Sequence, residues 1–416
     1  MKSALKLVLV LIVVSPSYGQ KVKQATTYDF PKPVDTQSRE IQYQKKQIFS
    51  DTIGDVYATN DFPAARLNDF TRNTDQLYVA TINPENTPIN TSPWYAFKIW
   101  SKEEKNVWIQ FVYPENGRHR YVPKLSNNGE RWEPADNATF TFLEDGSAVM
   151  NVSISADTLW IAAQEILDSR RIGAWASELA KNEKVTLSTI GKSKAGRDLI
   201  HMDLNNGKTK KKEVIAIFSR QHPPEISGFK AMQSFLDELI VNKQSDAFFK
   251  KYRVVVYPLI NPDGVDLGHW RHNTGGIDLN RDWAYYNQPE TRQVADHLVY
   301  AAAKSKAEVI LGIDFHSTQK DVFYTIPDDV ERTVIPNFKT EWLKGLEDKL
   351  SEEYKDYKVN EEGGPISTPV TKFWFYTQFD AEGVTYEVGD ETPRVFIDKK
   401  ARVAADVMMR LLLEEN

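Results

Sequence analysis

Three runs of this chain, beginning at Val214, Val254 and Val309, are apolar at nearly every position. A strand with one wet face alternates apolar and polar residues, whereas one that does not alternate has to be covered on both faces. The three runs therefore predict central strands of a sheet with helices on either side. The surrounding pattern agrees. Strand candidates at Val185–Ile190, Leu199–Leu204, Val214–Phe218, Tyr252–Leu259, Val309–Phe315 and Val384–Val388 alternate with helix candidates at Ser227–Asn242, Thr291–Lys304, Thr333–Tyr354 and Lys399–Glu415. Together with an amphipathic helix through Ile172, Trp175 and Leu179, this predicts an α/β domain over residues 166–416, a mixed sheet flanked by helices.

Ahead of it the pattern is of short strands rich in aromatic and β-branched residues. Trp94–Trp100, Val107–Tyr113, Thr139–Phe142, Ala148–Ile154 and Thr158–Ala162 are separated by turns such as Pro114-Glu115-Asn116-Gly117 and Glu144-Asp145-Gly146. That spacing predicts an antiparallel β-sandwich over residues 48–165. His119, between Arg118 and Arg120, reads as part of a solvated basic patch. The polar stretch 20–47 reads as a poorly ordered leader or a peripheral arm.

At the N-terminus, Lys2 and Lys6 precede the apolar run Leu7–Val14, and Ser15-Pro16-Ser17-Tyr18-Gly19 supplies small residues for cleavage after Gly19. This is the pattern of a secretory signal peptide, and the run is too short to span a bilayer. The reading is a secreted or periplasmic protein with no membrane span after cleavage. The chain has no cysteine, which excludes thiol catalysis and Cys-based zinc sites. Its net charge of −6 gives no sign of a nucleic-acid partner.

Charged and polar residues punctuate the strand ends, where open α/β sheets place their ligands. Val214–Phe218 leads into Arg220-Gln221-His222-Pro223-Pro224-Glu225. A His and a Glu so placed can share a divalent ion, and the plainer alternative is a loop His hydrogen-bonded to a nearby Glu. Val309–Phe315 ends in His316, a core or loop histidine if taken alone. Glu387 lies within the apolar run Val384–Val388, where a carboxylate is costly unless paired or protonated, and where it can serve as a general base. A Pro-Asp-Gly turn at 262–264 leads to Arg271 and to Asp278-Leu279-Asn280-Arg281-Asp282-Trp283. His269 and His272 flank Arg271. They could form a second metal pair, but solvated loop histidines are the plainer reading.

From about Ile172 to Asn416 the chain resembles the M14 zinc metallocarboxypeptidases. The likeness rests on Trp175–Leu179, Ile190–Asp198, Asn261-Pro262-Asp263-Gly264 and Asp278–Trp283. Trp94-Tyr95-Ala96-Phe97 and its surroundings resemble the accessory domain of the cytosolic-carboxypeptidase subgroup. The resemblance implies one zinc ion held by His222, Glu225 and His316, with Asp278 orienting His222. It implies Glu387 as general base and Arg271 as the stabiliser of the oxyanion. Asn280 and Arg281 would hold the terminal carboxylate of a peptide substrate. It places the tyrosine that caps the substrate in the loop Gly363–Phe379, with Tyr376 as candidate. Lys372, fifteen residues before Glu387, falls near the side-chain pocket, where a cation would favour an acidic C-terminal residue. His222-Pro223-Pro224-Glu225 departs from the more usual His-Pro-Gly-Glu. The expected activity is hydrolysis of a C-terminal peptide bond. The alternatives are a murein-peptide carboxypeptidase or amidohydrolase, and a catalytically silent binding protein on the same fold.

Overall fold

The computed structural model describes residues 25–114, 117–209, 211–327 and 333–414. The signal-peptide segment lies outside them.

The N-terminal half is two sheets. One is ordered β1-β2-β5-β11-β7-β8, from strands Ile48–Asp51 (β1), Val56–Thr59 (β2), Ala96–Ser101 (β5), Leu159–Ala162 (β11), Lys124–Ser126 (β7) and Glu133–Pro134 (β8). The other is ordered β3-β4-β6-β10-β9, from Asp69–Arg72 (β3), Leu77–Thr81 (β4), Lys105–Val112 (β6), Ala148–Ile154 (β10) and Phe140–Phe142 (β9). Pairing is antiparallel except between β4 and β6, which run parallel. The alternating inward residues, among them Phe97, Ile99, Ile109, Phe111 and Met150, form one core. Trp270 and Ile226 of the C-terminal half are buried in that same core, so the two halves share apolar packing.

The C-terminal half is one eight-stranded sheet, ordered β12-β13-β15-β14-β16-β19-β17-β18. Its strands are Val185–Lys192 (β12), Asp198–Leu204 (β13), Glu213–Ser219 (β14), Tyr252–Tyr257 (β15), Val309–Thr318 (β16), Val322–Thr325 (β17), Glu361–Gly363 (β18) and Glu382–Gly389 (β19). The central four, β15, β14, β16 and β19, are parallel. Both faces are covered, as the apolar runs require. Ile215 and Ile217 of β14 face a cluster with helices Ile226–Val241 (α2), Phe338–Ser351 (α6) and Arg394–Glu414 (α8). Val214, Ala216 and Phe218 of the same strand face Pro289–Ser305 (α5) and Thr371–Phe379 (α7). Each such buried side chain contributes about 1.5–3 kcal/mol, so this face-by-face alternation fixes the strand's register. Helices Ser169–Leu179 (α1), Ser245–Lys251 (α3) and Pro262–Leu267 (α4) complete the half.

Residues 25–47 lie against the body of the protein. Phe30 is buried with Ala284, Ile326 and Phe373, and the backbone of Arg39 donates to Gly275 at 2.7 Å. Among the described residues no helix is long and apolar enough to cross a membrane.

Candidate active site

The C-terminal ends of β14, β16 and β19 sit side by side. Between β14 and α2 the chain reverses in a turn whose carbonyls, rather than amides, are the groups held. Arg220 takes a left-handed φ of 54°, and its buried guanidinium donates to Pro223 O at 2.8 Å. Asn261 donates its side chain to Gln221 O at 3.0 Å and caps α4 by accepting from Gly264 N at 2.9 Å. Pro224 thus removes no donor that the turn needs, and its own carbonyl accepts from Ile226 N at 2.9 Å. Two residues later, a Cβ added to Gly228 would lie 2.3 Å from the carbonyl oxygen of His316. Only glycine lets α2 approach β16 this closely.

This approach brings His222, Glu225 and His316 together, all buried, with one donor atom of each within 4.8 Å of the others. Nδ1 of His222 lies 2.7 Å from Glu225 Oε1, and Nδ1 of His316 lies 2.7 Å from Glu225 Oε2. Each far nitrogen meets an aspartate. His222 Nε2 is 2.8 Å from Asp278 Oδ1, and His316 Nε2 is 2.6 Å from Asp314 Oδ2. A carboxylate at Nε2 holds the ring proton there and leaves the Nδ1 lone pair turned toward Glu225. Two lone pairs and a carboxylate facing one another form a donor set for a cation, and two histidines with one glutamate suit zinc with a coordination position left open. Burial opposes ionisation of Glu225, but the flanking imidazoles more than offset it and hold the carboxyl well below its usual range. Burial likewise opposes charge on His316, and the Asp314 and Glu225 carboxylates outweigh it, so a cation seated here would displace a proton from Nδ1 before that nitrogen could serve as a ligand.

A cavity of about 640 Å³ opens over these residues and is lined also by Arg271, Asn280, Arg281, Lys372 and Glu387. Glu387 is the neighbour of His316 across the parallel ladder. Its Oε2 has no hydrogen-bond partner among the described residues, and burial, reinforced by the Glu225 charge, pushes its carboxyl up to about 7. Arg271 donates from Nε to Asp278 Oδ2 at 2.7 Å. Asp278 thereby links the guanidinium to the imidazole of His222. Asn280 and Arg281 lie on a 3-10 turn, Leu279–Arg281, capped by the Asp278 side chain. The Asn280 side-chain oxygen Oδ1 accepts from Thr371 N at 2.9 Å and Thr371 Oγ1 at 2.8 Å, which turns Asn280 Nδ2 toward His316 Nε2 at 3.4 Å. Arg281 is one-third exposed and donates to Asn280 O at 2.7 Å. Lys372 sits in the wall, donating to Thr325 O at 3.0 Å, and burial lowers its ammonium to about 8.

Tyr376 does not join the other candidates. The stretch Thr371–Phe379 is helix α7 rather than loop. Tyr376 packs with Phe30, Ala284, Ile326 and Phe373 and does not line the cavity. His119 is buried, not solvated. It lies between Tyr113 Oη (2.6 Å) and Tyr121 O (2.7 Å) in a box of aromatic rings that includes Phe111 and Phe140, and burial lowers its pKa to about 4. His269 and His272 are also buried rather than solvated. His269 Nδ1 bonds His272 O and His272 Nδ1 bonds Asn86 Oδ1, and they belong to no metal-sized cluster among the described residues.

Sequence reasoning passed over several members of the site. Asp314, an acid two positions before His316 in an apolar strand, carried the same signal as Glu387. Gln221 donates to Asp314 Oδ2 at 2.6 Å and accepts from Trp283 Nε1 at 2.8 Å, tying the ligand turn to the Asp278–Trp283 stretch. Lys32, Asn90, Ser92 and Arg120 line the cavity from the N-terminal half, and no local pattern marks them.

The zinc carboxypeptidase family model matches residues 172–402. Cytosolic carboxypeptidase 6 of Caenorhabditis elegans is 26% identical over 277 residues, which is 62% of this chain and 55% of that protein. Cytosolic carboxypeptidase 2 of Xenopus tropicalis is 32% identical over 162 residues, 35% of this chain and 16% of that one. The chain thus spans about half the length of the worm relative and a smaller part of the frog one. A metallo-carboxypeptidase of Burkholderia cenocepacia superposes with a TM-score of 0.70 at 14% identity, over 86% of this chain and 99% of that one. One of Pseudomonas aeruginosa superposes at 0.68 and 15% identity, over 85% and 98%. These two likenesses concern the fold, both halves of it. The family match covers more than half of the 416 residues and contains every ligand candidate, and this chain belongs to the M14 zinc carboxypeptidase family.

Proposed function

We propose that this protein is an exported, one-zinc carboxypeptidase that hydrolyses the peptide bond next to a free C-terminal carboxylate. The observation that carries the reading is the pairing of His316 with Glu387 on adjacent strands, which sets a protonatable carboxylate beside the His222–Glu225–His316 donor set.

His222, Glu225 and His316 would hold the zinc ion, which when bound would supply Lewis-acid polarisation of the scissile carbonyl and a water whose pKa falls toward about 7. Glu387 takes a proton from the attacking water and returns it to the leaving amine. Its raised affinity for a proton suits both directions of transfer near neutral pH. Arg271, held by Asp278, faces the carbonyl oxygen as negative charge develops there, a contribution of about 3–4 kcal/mol in a dry site. The Asn280 amide and the Arg281 fork bind the terminal carboxylate, since a planar guanidinium matches it bidentately. Lys372 meets the side chain of the departing residue and favours an acidic one. The Pseudomonas aeruginosa neighbour was solved in complex with (2-guanidinoethylmercapto)succinic acid.

The test is a hydrolysis screen of peptides differing only in their C-terminal residue, with and without 1,10-phenanthroline. Release of one terminal residue that stops with chelator and returns with added zinc is expected, fastest for peptides ending in Glu. Turnover indifferent to chelator would overturn the zinc reading. Equal rates for Glu, Lys and Phe, or a preference for Lys, would remove the role given to Lys372. The signal-peptide pattern supports export, and mass spectrometry of the exported protein should find Gln20 as its first residue. In that compartment peptidoglycan stem peptides also offer free carboxylates, so loss of a terminal residue from purified peptidoglycan would favour the murein substrate.

A further inference from the structure

The loop that carries Arg271 is moulded by the N-terminal half. Glu85, fully buried, belongs to the segment after β4. Its carboxylate accepts from three consecutive backbone amides, those of Trp270 (2.7 Å), Arg271 (3.0 Å) and His272 (2.6 Å). A buried carboxylate is costly unless its oxygens are satisfied, and three charge-assisted bonds to one short backbone stretch leave that stretch little freedom. Asn86 stitches the same loop at two further points. Its Nδ2 donates to Gly276 O at 3.0 Å and its Oδ1 meets His272 Nδ1 at 2.6 Å. Arg66 donates from Nε to Gly268 O at 2.7 Å. The fit is close, because a Cβ on Gly268 would lie 2.4 Å from Ala65 O and one on Gly276 would lie 2.6 Å from Arg39 O. Trp270 is sunk into the sandwich core. On its other side the loop presents Arg271 to Asp278, which holds His222.

We infer that Glu85 of the N-terminal half is a positioning residue of the catalytic site, fixing the backbone from which Arg271 reaches the oxyanion. This rests on the role given to Arg271 above. The sandwich is then part of the catalytic apparatus, acting through one carboxylate without touching substrate. Burial opposes ionisation of Glu85, but His269, Arg66 and the His272 amide outweigh it and keep the carboxyl below its usual range, so a charged acceptor is available to the amides.

The experiment compares the full-length, zinc-loaded wild type with Glu85→Gln, Arg271→Ala and the double variant. The substrates are N-benzoyl-glycyl dipeptides carrying the terminal residue preferred in the screen. Glu85→Gln should lower kcat by about 10- to 100-fold, the scale of a small misplacement of a catalytic group. KM should change little and bound zinc should stay near wild type, while the melting temperature falls because the Gln amide nitrogen meets a backbone N–H that Glu85 accepts from. On the Arg271→Ala background the same substitution should have no further effect on kcat. A kcat within twofold of wild type overturns the inference, as does an undiminished loss on the Arg271→Ala background. If Glu85→Gln does not fold, Asn86→Ala takes its place with the same two readouts. A wild type that fails to hydrolyse any of the dipeptides, or Arg271→Ala with wild-type kcat, would instead sink the reading of the site on which this one rests.

Discussion

Glu387 and Lys372 show what burial does to single residues. Both lie in the cavity wall, and for both the charged form is disfavoured, which raises the carboxyl and lowers the ammonium. In the acid the shift suits the proton transfer proposed for it. Replacing it by Gln keeps shape and removes the proton acceptor. Glu387→Gln is expected to lose about 10²- to 10⁴-fold in kcat while binding one equivalent of zinc, measured by steady-state kinetics and atomic absorption. Surviving turnover would mean that the base is elsewhere. In the base the shift leaves Lys372 charged at neutral pH, so Lys372→Met should reduce the rate on peptides ending in Glu and spare those ending in Phe. Glu387 was legible in the sequence because an acid among Val384, Tyr386 and Val388 has no innocent place in a strand. Glu85 was not legible, because Pro84-Glu85-Asn86-Thr87-Pro88 reads as any polar turn and its partners lie in the other half of the molecule. His119 misled because its arginine neighbours suggest water, whereas along the chain Arg118 and Arg120 turn away from the aromatic box that His119 enters. Arg120 itself turns to Asp390 at 2.6 Å.

The elements depend on close approaches that glycine permits. Gly228 at the start of α2 lets the helix meet the backbone of His316, and a methyl group 2.3 Å from that carbonyl cannot be relieved by a side-chain rotation. Gly228→Ala is expected to cost about 1–3 kcal/mol of stability, as overpacking does, and to weaken zinc binding by pushing the His222–Glu225 turn away from His316. Denaturant unfolding and a zinc-release titration check the two halves of that statement. Gly383 does the same for α7, where an added Cβ would lie 2.0 Å from Lys372 O. The central strands were legible because both of their faces are apolar. Helix α7 was not. Thr371-Lys372-Phe373-Trp374-Phe375-Tyr376-Thr377-Gln378-Phe379 is aromatic on every side, has no side-chain cap at its start, and takes its conformation from packing on β16 and β19. Reading it as a loop is what drew Tyr376 into the site.

For the whole molecule the two-part plan was readable from the switch in apolar period near residue 165. The shared core through Trp270 and Ile226 was not, since contact between distant segments leaves no local pattern. Burial also sets how stability answers to pH. His119, His201, His269 and His297 are pulled down by burial to about 4, 3, 4 and 4. Unfolded, each protonates near 6.5, so between pH 6.5 and 4 the unfolded chain binds protons that these folded sites refuse. Their contribution to stability therefore falls as pH drops through that window and is flat above it. Buried acids such as Asp390, held up to about 6, act in the opposite sense, so the difference between two proteins isolates one histidine. His119→Gln should be less stable than wild type at pH 7.5, and the gap should narrow by about 1–2 kcal/mol by pH 5, at up to about 1.4 kcal/mol per pH unit. A gap independent of pH in denaturant titrations would refute it. The order of the sheet has a further consequence, in time. Reading across it, the turn after β14 brings two candidate ligands, β16 the third and β19 the proposed base, while along the chain β19 is the last of the described strands. A ribosome-bound chain that has already emitted both histidines still lacks Glu387, and β19 is also the strand that joins β16 to β17. The order of synthesis therefore completes the donor set for a cation before it supplies the carboxylate proposed to act beside it.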